Sequence, residues 1–273
     1  MPIDIVKEFE AIKQTYQAQS QQDSYNALVY SDFGQGKTRL AKTCRLPVHI
    51  DSFDPGGTRT LKDEIEGKET PTKSDPYRAT GKIMADVRFE IEDPMKPTAF
   101  ALWDKEYHRR KREGYFSMIG TYFLDSATTW ASAAMNVILE KAGRKGMAPH
   151  QQDYLPAMVM IENAIKDLVS LPCDVILTAH LDVDKDEATG RMFVGPLFVG
   201  KLKQRVPLLF DELYCAQVRR SAAGETYNLL TRSDGIFKAR TRLGREGIFE
   251  TLEESDIKKL LKKAGYSIED KPM

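Results

Sequence analysis

The stretch Tyr25-Asn26-Ala27-Leu28-Val29-Tyr30-Ser31-Asp32-Phe33-Gly34-Gln35-Gly36-Lys37-Thr38 decides how this chain is read. A short apolar run leads into a turn holding Gly34 and Gly36, and Gly-Lys-Thr then opens a predicted helix running from Thr38 to about Arg45. Strand, glycine-containing loop and helix in that order form a phosphate-binding P-loop pattern. Successive backbone N–H groups and a helix N-terminus make a concave, positive cradle for a β-phosphate. The predicted nucleotide-binding segment is Ser31, Asp32, Phe33, Gly34, Gln35, Gly36, Lys37, Thr38 and Arg39. In it, Lys37 reaches the β- and γ-phosphate oxygens of ATP as a mobile point charge, and the Thr38 hydroxyl ligates Mg²⁺. One position departs from the pattern: Ser31 stands where the loop asks for glycine. Serine can make the same exit from the strand provided its φ stays negative.

Size and composition bound the rest. With 273 residues the chain is long enough for one large α/β domain or two small ones. Its 40 basic and 40 acidic side chains cancel, so any nucleic-acid contact must come from a local patch rather than a global field. The three cysteines, Cys44, Cys173 and Cys215, lie far apart without ligand-like spacing, and read as reduced, buried thiols in a cytoplasmic setting. No apolar run approaches the roughly 20 residues needed to span a bilayer, and the N-terminus lacks the core of a signal peptide.

Outward from the loop, residues 1–23 read as a helix and polar linker, with Ile5, Val6, Phe9, Ile12 and Tyr16 at helical spacing. Val48–Ile50 forms a second strand running into Asp51-Ser52-Phe53-Asp54-Pro55-Gly56-Gly57. Residues 62–81 look like a long loop, and Lys82–Ile91 alternates like an exposed strand. Thr98–Gly114 reads as a helix whose basic end, Arg109 to Arg112, suits a solvated C-terminus. Tyr115–Leu124 is an apolar run ending in Asp125-Ser126, helices are predicted over 128–141 and 153–170, and Pro172–His180 is a buried-type strand. A hairpin over 181–199, turning at Glu187-Ala188-Thr189-Gly190, is followed by a short helix at Leu202–Leu209. Short β runs follow at Glu212–Arg219, Thr226–Thr231 and Ile236–Arg242, and a last helix spans Asp256–Ala264. The alternation predicts an α/β fold with a mainly parallel central sheet flanked by helices and a C-terminal set of short antiparallel strands. Ligands in such sheets bind at the carboxyl ends of the strands.

Polar residues at those ends supply the chemistry. Asp125, closing an apolar strand, is the expected second residue ordering Mg²⁺. It or Ser126 would equally cap the helix that follows. His180 ends the next strand and is placed to sense a γ-phosphate. Asp51 or Asp54 would orient and deprotonate the attacking water, and the sequence leaves the choice open. Lys201, Lys238 and Arg240 are candidate cations for a neighbouring subunit's γ-phosphate.

These residues resemble the RecA-type ATPases, among them the phage-encoded AAA-type nucleotide-binding proteins that include the Sak-four single-strand annealing recombinases. The resemblance rests on Ser31–Thr38, Tyr122–Ser126 with Ala127-Thr128-Thr129, Val175–His180, Gly195–Lys201, Phe210–Glu212 and Phe237–Arg240. It implies a RecA-like core over residues 24–250, preceded by a 1–23 segment and followed by a helix over 251–273. It further implies ATP and Mg²⁺ bound between subunits of a ring or filament, and action on single-stranded DNA in phage recombination or replication. By the same resemblance the setting is the cytoplasm of a bacterial host, with a phage single-strand-binding protein as a partner. The stretch 181–199 lies where such proteins place a DNA-contacting loop, yet it holds Asp182, Asp184, Asp186 and Glu187 against Lys185 and Arg191. Two rival readings use the same loop: a nucleotide-binding module with little turnover that anneals DNA or assembles with a partner, and a small-molecule kinase.

Overall fold

A computed structural model describes residues 4–20, 24–68, 81–185, 187, 190–221, 224–244 and 247–273. The strands are β1 (Asn26–Ser31), β2 (Val48–Ser52), β3 (Ile83–Asp86), β4 (Thr121–Asp125), β5 (Asp174–Lys185), β6 (Met192–Pro196), β7 (Glu212–Ser221), β8 (Gly224–Leu230) and β9 (Leu252–Glu254). The helices are α1 (Ile5–Ser20), α2 (Lys62–Glu66), α3 (Ala99–Arg112), α4 (Tyr115–Met118), α5 (Ala127–Lys141), α6 (Gln151–Leu168), α7 (Leu202–Arg205) and α8 (Ile257–Lys263).

The sheet runs in the order β3-β2-β4-β5-β1-β7-β8-β9, with β6 paired to the outer part of β5. From β3 to β7 all neighbours are parallel, and β8 and β9 add antiparallel at the far edge. The predicted α/β class and the C-terminal antiparallel strands are therefore present. The alternation of side chains explains the layers. On β1, Leu28 and Tyr30 face the core shared with α3, α5 and α6, while Ala27 and Val29 face a second core closed by Leu40, Ala41 and α8. With both faces covered, β1 is buried at every position, as a central parallel strand should be. The first core centres on Trp103 and Trp130, whose rings meet edge to face at 5.1 Å, and the Trp103 indole donates to the Tyr122 hydroxyl at 3.0 Å.

Several local expectations give way. The helix after the loop is a short 3-10 segment, Thr38–Thr43. The strand over 82–91 ends at Asp86, where that carboxylate accepts the Arg88 backbone N–H at 3.3 Å and turns the chain. Tyr115–Leu124 splits into α4 and β4. Residues 236–242 make no strand but bridge two, Phe237 to Val194 and Arg240 to Leu213. The basic helix end is not wholly solvated: Arg110 of α3 is buried. The 62–81 loop begins as α2, and residues 69–80 lie outside the described residues, as do 1–3, 21–23 and, in the predicted 187–190 turn, 188 and 189. Helix α1 forms as predicted but leaves Ile5, Phe9 and Ile12 exposed. No described helix is long and apolar enough to cross a membrane.

Candidate active site

Parallel pairing brings the polar strand ends to one edge of the sheet. Ser31 lies beside His180, and Ser52 beside Asp125. Above that edge opens a cleft of about 560 Å³, lined by Phe33 to Arg39 together with Lys42, Asp54, Gly57, Thr60, Asp125, His180 and Tyr227. Lys37, Thr38, Asp54, Asp125 and His180 thus converge from four separate segments, as the strand order requires.

Gly34 and Gly36 have φ of 70° and 84°, values that strain any residue with a Cβ. Among the described residues no non-glycine has positive φ, so Ser31 leaves its strand without strain. The Ser31 side chain is buried and accepts from Lys37 Nζ at 3.3 Å. Lys37 Nζ also donates to the carbonyls of Ser31 at 3.1 Å and Asp32 at 2.9 Å. Burial lowers the Lys37 ammonium pKa, and the charges of Asp125, Asp54 and Asp32 offset this only in part. Among the described residues, the backbone N–H groups of Gly34, Gln35, Gly36 and Lys37 donate to no protein acceptor. Unspent donors around a lysine define an anion cradle. Because the 3-10 segment is short, the loop amides rather than a long helix dipole carry that field.

Thr38 Oγ1 donates to Asp125 Oδ2 at 2.5 Å, and Thr178 Oγ1 donates to Asp125 Oδ1. Asp125 is 2% exposed, and among the described residues it forms no ion pair. Burial pushes its carboxyl pKa up, against the pull of the Thr178 and Thr38 hydrogen bonds, and the Asp54 charge adds to the rise. A buried carboxylate without an ion-pair partner is unfavourable unless a cation joins it. The donor set of one hydroxyl and one carboxylate oxygen suits a hard ion such as Mg²⁺, which takes its remaining ligands from phosphate and water. Among the described residues no group of three His, Cys, Asp or Glu side chains could hold a metal by itself.

Asp54 is fixed from both main chain and side chain. The Asp125 carbonyl accepts the backbone N–H of Phe53 at 2.6 Å and of Asp54 at 3.3 Å. Asp54 Oδ1 accepts from Ser126 Oγ at 2.8 Å and from Thr129 Oγ1, and Oδ2 lies 3.1 Å from His180 Nε2. Burial would raise the Asp54 carboxyl, but hydrogen bonds from His180, Thr129 and Ser126 outweigh it and hold the group below the usual carboxylate range. Ser126 also caps α5 by accepting from Thr129 N–H, while Asp125 lines the cleft.

Asp51 sits elsewhere. It is fully buried, and its carboxylate is taken up by Arg110 at 3.0 Å, His49 Nε2 at 2.9 Å and the Tyr122 hydroxyl at 2.7 Å. It does not line the cleft, whereas Asp54 does. Arg240 is also corrected as a free cation: its Nη2 donates to the carbonyls of Pro207 and Phe210, both at 2.8 Å, which commits it to its own chain. Lys238 lies 5.6 Å from the Phe193 ring centre, half-buried, and Lys201 is exposed outside the cleft. Asp32 is exposed and caps its own turn, accepting from Phe33 N–H at 2.8 Å.

The structure adds Thr178 and Glu90, which the sequence did not single out, and gives Gln35 of the predicted loop a further contact. Thr178 holds Asp125 from the neighbouring strand. Glu90 accepts from Ser52 Oγ at 2.7 Å and from Gly56 N–H at 2.8 Å, supporting the turn that carries Asp54. Gln35 Oε1 accepts the Val218 N–H at 2.7 Å, fastening the loop to β7. Of Thr178 and Glu90, Thr178 carried a signal in the chain, as a polar residue inside an apolar run.

No curated protein matches the chain. Among solved structures, the likenesses are remote. A KaiC-like protein of the hyperthermophilic archaeon Pyrococcus horikoshii is 11% identical, with 80% of this chain and 81% of that one covered and a TM-score of 0.38. The flagellar accessory protein FlaH of Methanocaldococcus jannaschii is 9% identical, covering 84% and 83%, with a TM-score of 0.42. The RadB recombinase is 11% identical, covering 78% and 84%, with a TM-score of 0.40. The AAA domain model, by contrast, matches residues 23–243, which takes in the loop, Asp54, Asp125 and His180 alike, and the chain belongs to that family.

Proposed function

We propose that this chain binds ATP with Mg²⁺ in the cleft and hydrolyses it, as an ATPase of the RecA type. The observation that carries the reading is the meeting of Thr38 with Asp125 at 2.5 Å, with Lys37 and Asp54 lining the same cleft. The loop amides donate to the β-phosphate, and Lys37 exchanges its bonds to the Ser31 and Asp32 carbonyls for bonds to phosphate oxygens. Thr38 and Asp125 hold Mg²⁺, which when bound neutralises charge on the β- and γ-phosphate oxygens. Asp54, kept ionised, orients a water in line with the γ-phosphorus and takes its proton. His180 steadies Asp54 through their hydrogen bond. It is placed to report loss of the γ-phosphate to the β5–β6 hairpin, whose Leu197 N–H donates to the His180 carbonyl at 2.8 Å.

Self-association into a ring or filament is part of this reading, with a neighbour's Lys201 or Lys238 steadying charge on the γ-phosphate. For single-stranded DNA the β5–β6 hairpin offers poor electrostatics. Asp182 and Asp184 lie on it, and Lys203 is already paired with Asp184. DNA therefore enters as an arm of the test.

The test is phosphate release from Mg·ATP by purified protein, with and without single-stranded DNA, alongside equilibrium ATP binding. Loss of the charge-assisted bonds in Lys37→Ala should weaken ATP binding by about 10- to 100-fold. Absence of hydrolysis in every condition, together with unchanged ATP binding by Lys37→Ala, would refute the proposal. Binding without turnover would indicate an annealing or assembly module, and phosphate transfer to a small acceptor would indicate a kinase.

A further inference from the structure

One wall of the cleft has no part in phosphate or metal chemistry. Tyr227 of β8 lines it, far from the loop in sequence. The ring edge lies against Gly36 so closely that a Cβ there would stand 2.5 Å from Tyr227 Cδ1. Its hydroxyl donates to Glu225 at 3.0 Å, and the Gln35–Val218 hydrogen bond ties the same hairpin to the loop a second time. The ring is therefore fixed in place. Over its face, 4.4 Å from the centre, lies the guanidinium of Arg39. Arg39 is exposed, and among the described residues it makes no ion pair, so stacking on Tyr227 is what orients it. A guanidinium stacked on an aromatic ring keeps its other planar face available.

Resting on the ATP reading above, we propose that Arg39, backed by Tyr227, is the platform on which the base of the bound nucleotide stacks. The platform begins one residue beyond Thr38, at the edge of the phosphate cradle. A planar cation suits a π-face, and stacking of this kind accepts a ring without reading its hydrogen-bonding edge.

The test compares binding of Mg·ATP with binding of Mg·tripolyphosphate, which carries the charge without a base. Arg39→Ala, Arg39→Lys and Tyr227→Ala should each weaken ATP by about tenfold while changing tripolyphosphate by less than about twofold. Arg39→Lys is the decisive variant, because it keeps the charge, loses the plane and sits on the surface. Tyr227→Phe, which keeps the ring, should restore most of the affinity lost in Tyr227→Ala. The proposal is overturned if Arg39→Lys binds ATP like the wild type, or if tripolyphosphate weakens as much as ATP. Lys37→Ala separates the two levels. If it weakens both ligands while Arg39→Lys weakens neither, the platform alone fails; if Lys37→Ala weakens neither and no condition gives hydrolysis, the ATP reading fails with it.

Discussion

Asp54→Asn should lower the rate of ATP hydrolysis by about 10²- to 10⁴-fold, the usual contribution of a positioned general base. ATP binding should change little, because Asp54 is not among the residues proposed to hold the phosphates or the ion. The amide is nearly isosteric, so Ser126 and Thr129 can still donate to its oxygen, and what is lost is the basic oxygen beside His180 Nε2. Single-turnover phosphate release at saturating ATP isolates the effect from binding and product release. An Asp54→Asn protein hydrolysing at the wild-type rate would remove Asp54 from the mechanism. The comparison variant is Asp51→Asn, which should affect stability and leave the chemical step largely intact.

Arg110→Ala should destabilise the fold by about 3–5 kcal/mol, the range for breaking a buried ion pair from one side. Arg110 of α3 bridges two carboxylates, Asp51 at 3.0 Å and Asp86 at 2.5 Å. Asp51 would keep only His49 and the Tyr122 hydroxyl, inside a core that offers it no water. Urea unfolding midpoints measure the loss, and a change under about 1 kcal/mol would put the pair in the class of surface bridges. The same network predicts a pH signature. Burial alone would raise the Asp86 carboxyl, but hydrogen bonds from Arg88 and Arg110 outweigh it and hold the group well below the usual range. With a folded pKa below the unfolded one, near 3.9, its stabilisation is complete above about pH 4 and fades as pH falls through the folded value. Arg110→Ala should shrink that acid-side loss.

What could be read from the chain follows from how local each feature is. Gly34, Gly36, Lys37 and Thr38 are contiguous, and their spacing alone carries the loop. Asp125 was legible because an apolar run ending in a polar residue marks where a buried strand stops; at His180 burial and parallel pairing stop, but β5 itself runs on to Lys185 to pair with β6. Asp51 and Asp54 could not be separated in the same way. Both follow Val48–Ile50, and what divides them is pairing: Asp51 stays within β2 and meets Arg110, while Asp54 lies past the strand end on a turn held by Glu90 and the Asp125 carbonyl. Arg110 misled because a run of four basic residues on a helix covers every side of it, so one must face inward. Thr178 meets Asp125, and Tyr227 meets the cleft, only through strand order, so no local pattern gives either its partner. The 236–242 segment alternates like a strand but takes its hydrogen bonds from two different strands, and alternation cannot show that.

The carbonyl of Asp125 that receives the amides of Phe53 and Asp54 has a practical corollary. That link is made of peptide groups, so no exchange of side chain other than to proline removes its donors or its acceptor. The carboxylates of Asp125 and Asp54, proposed to serve metal and water, can accordingly be removed one at a time with this link kept. Differences between the two single variants and the double variant then measure chemical cooperation rather than mutual scaffolding.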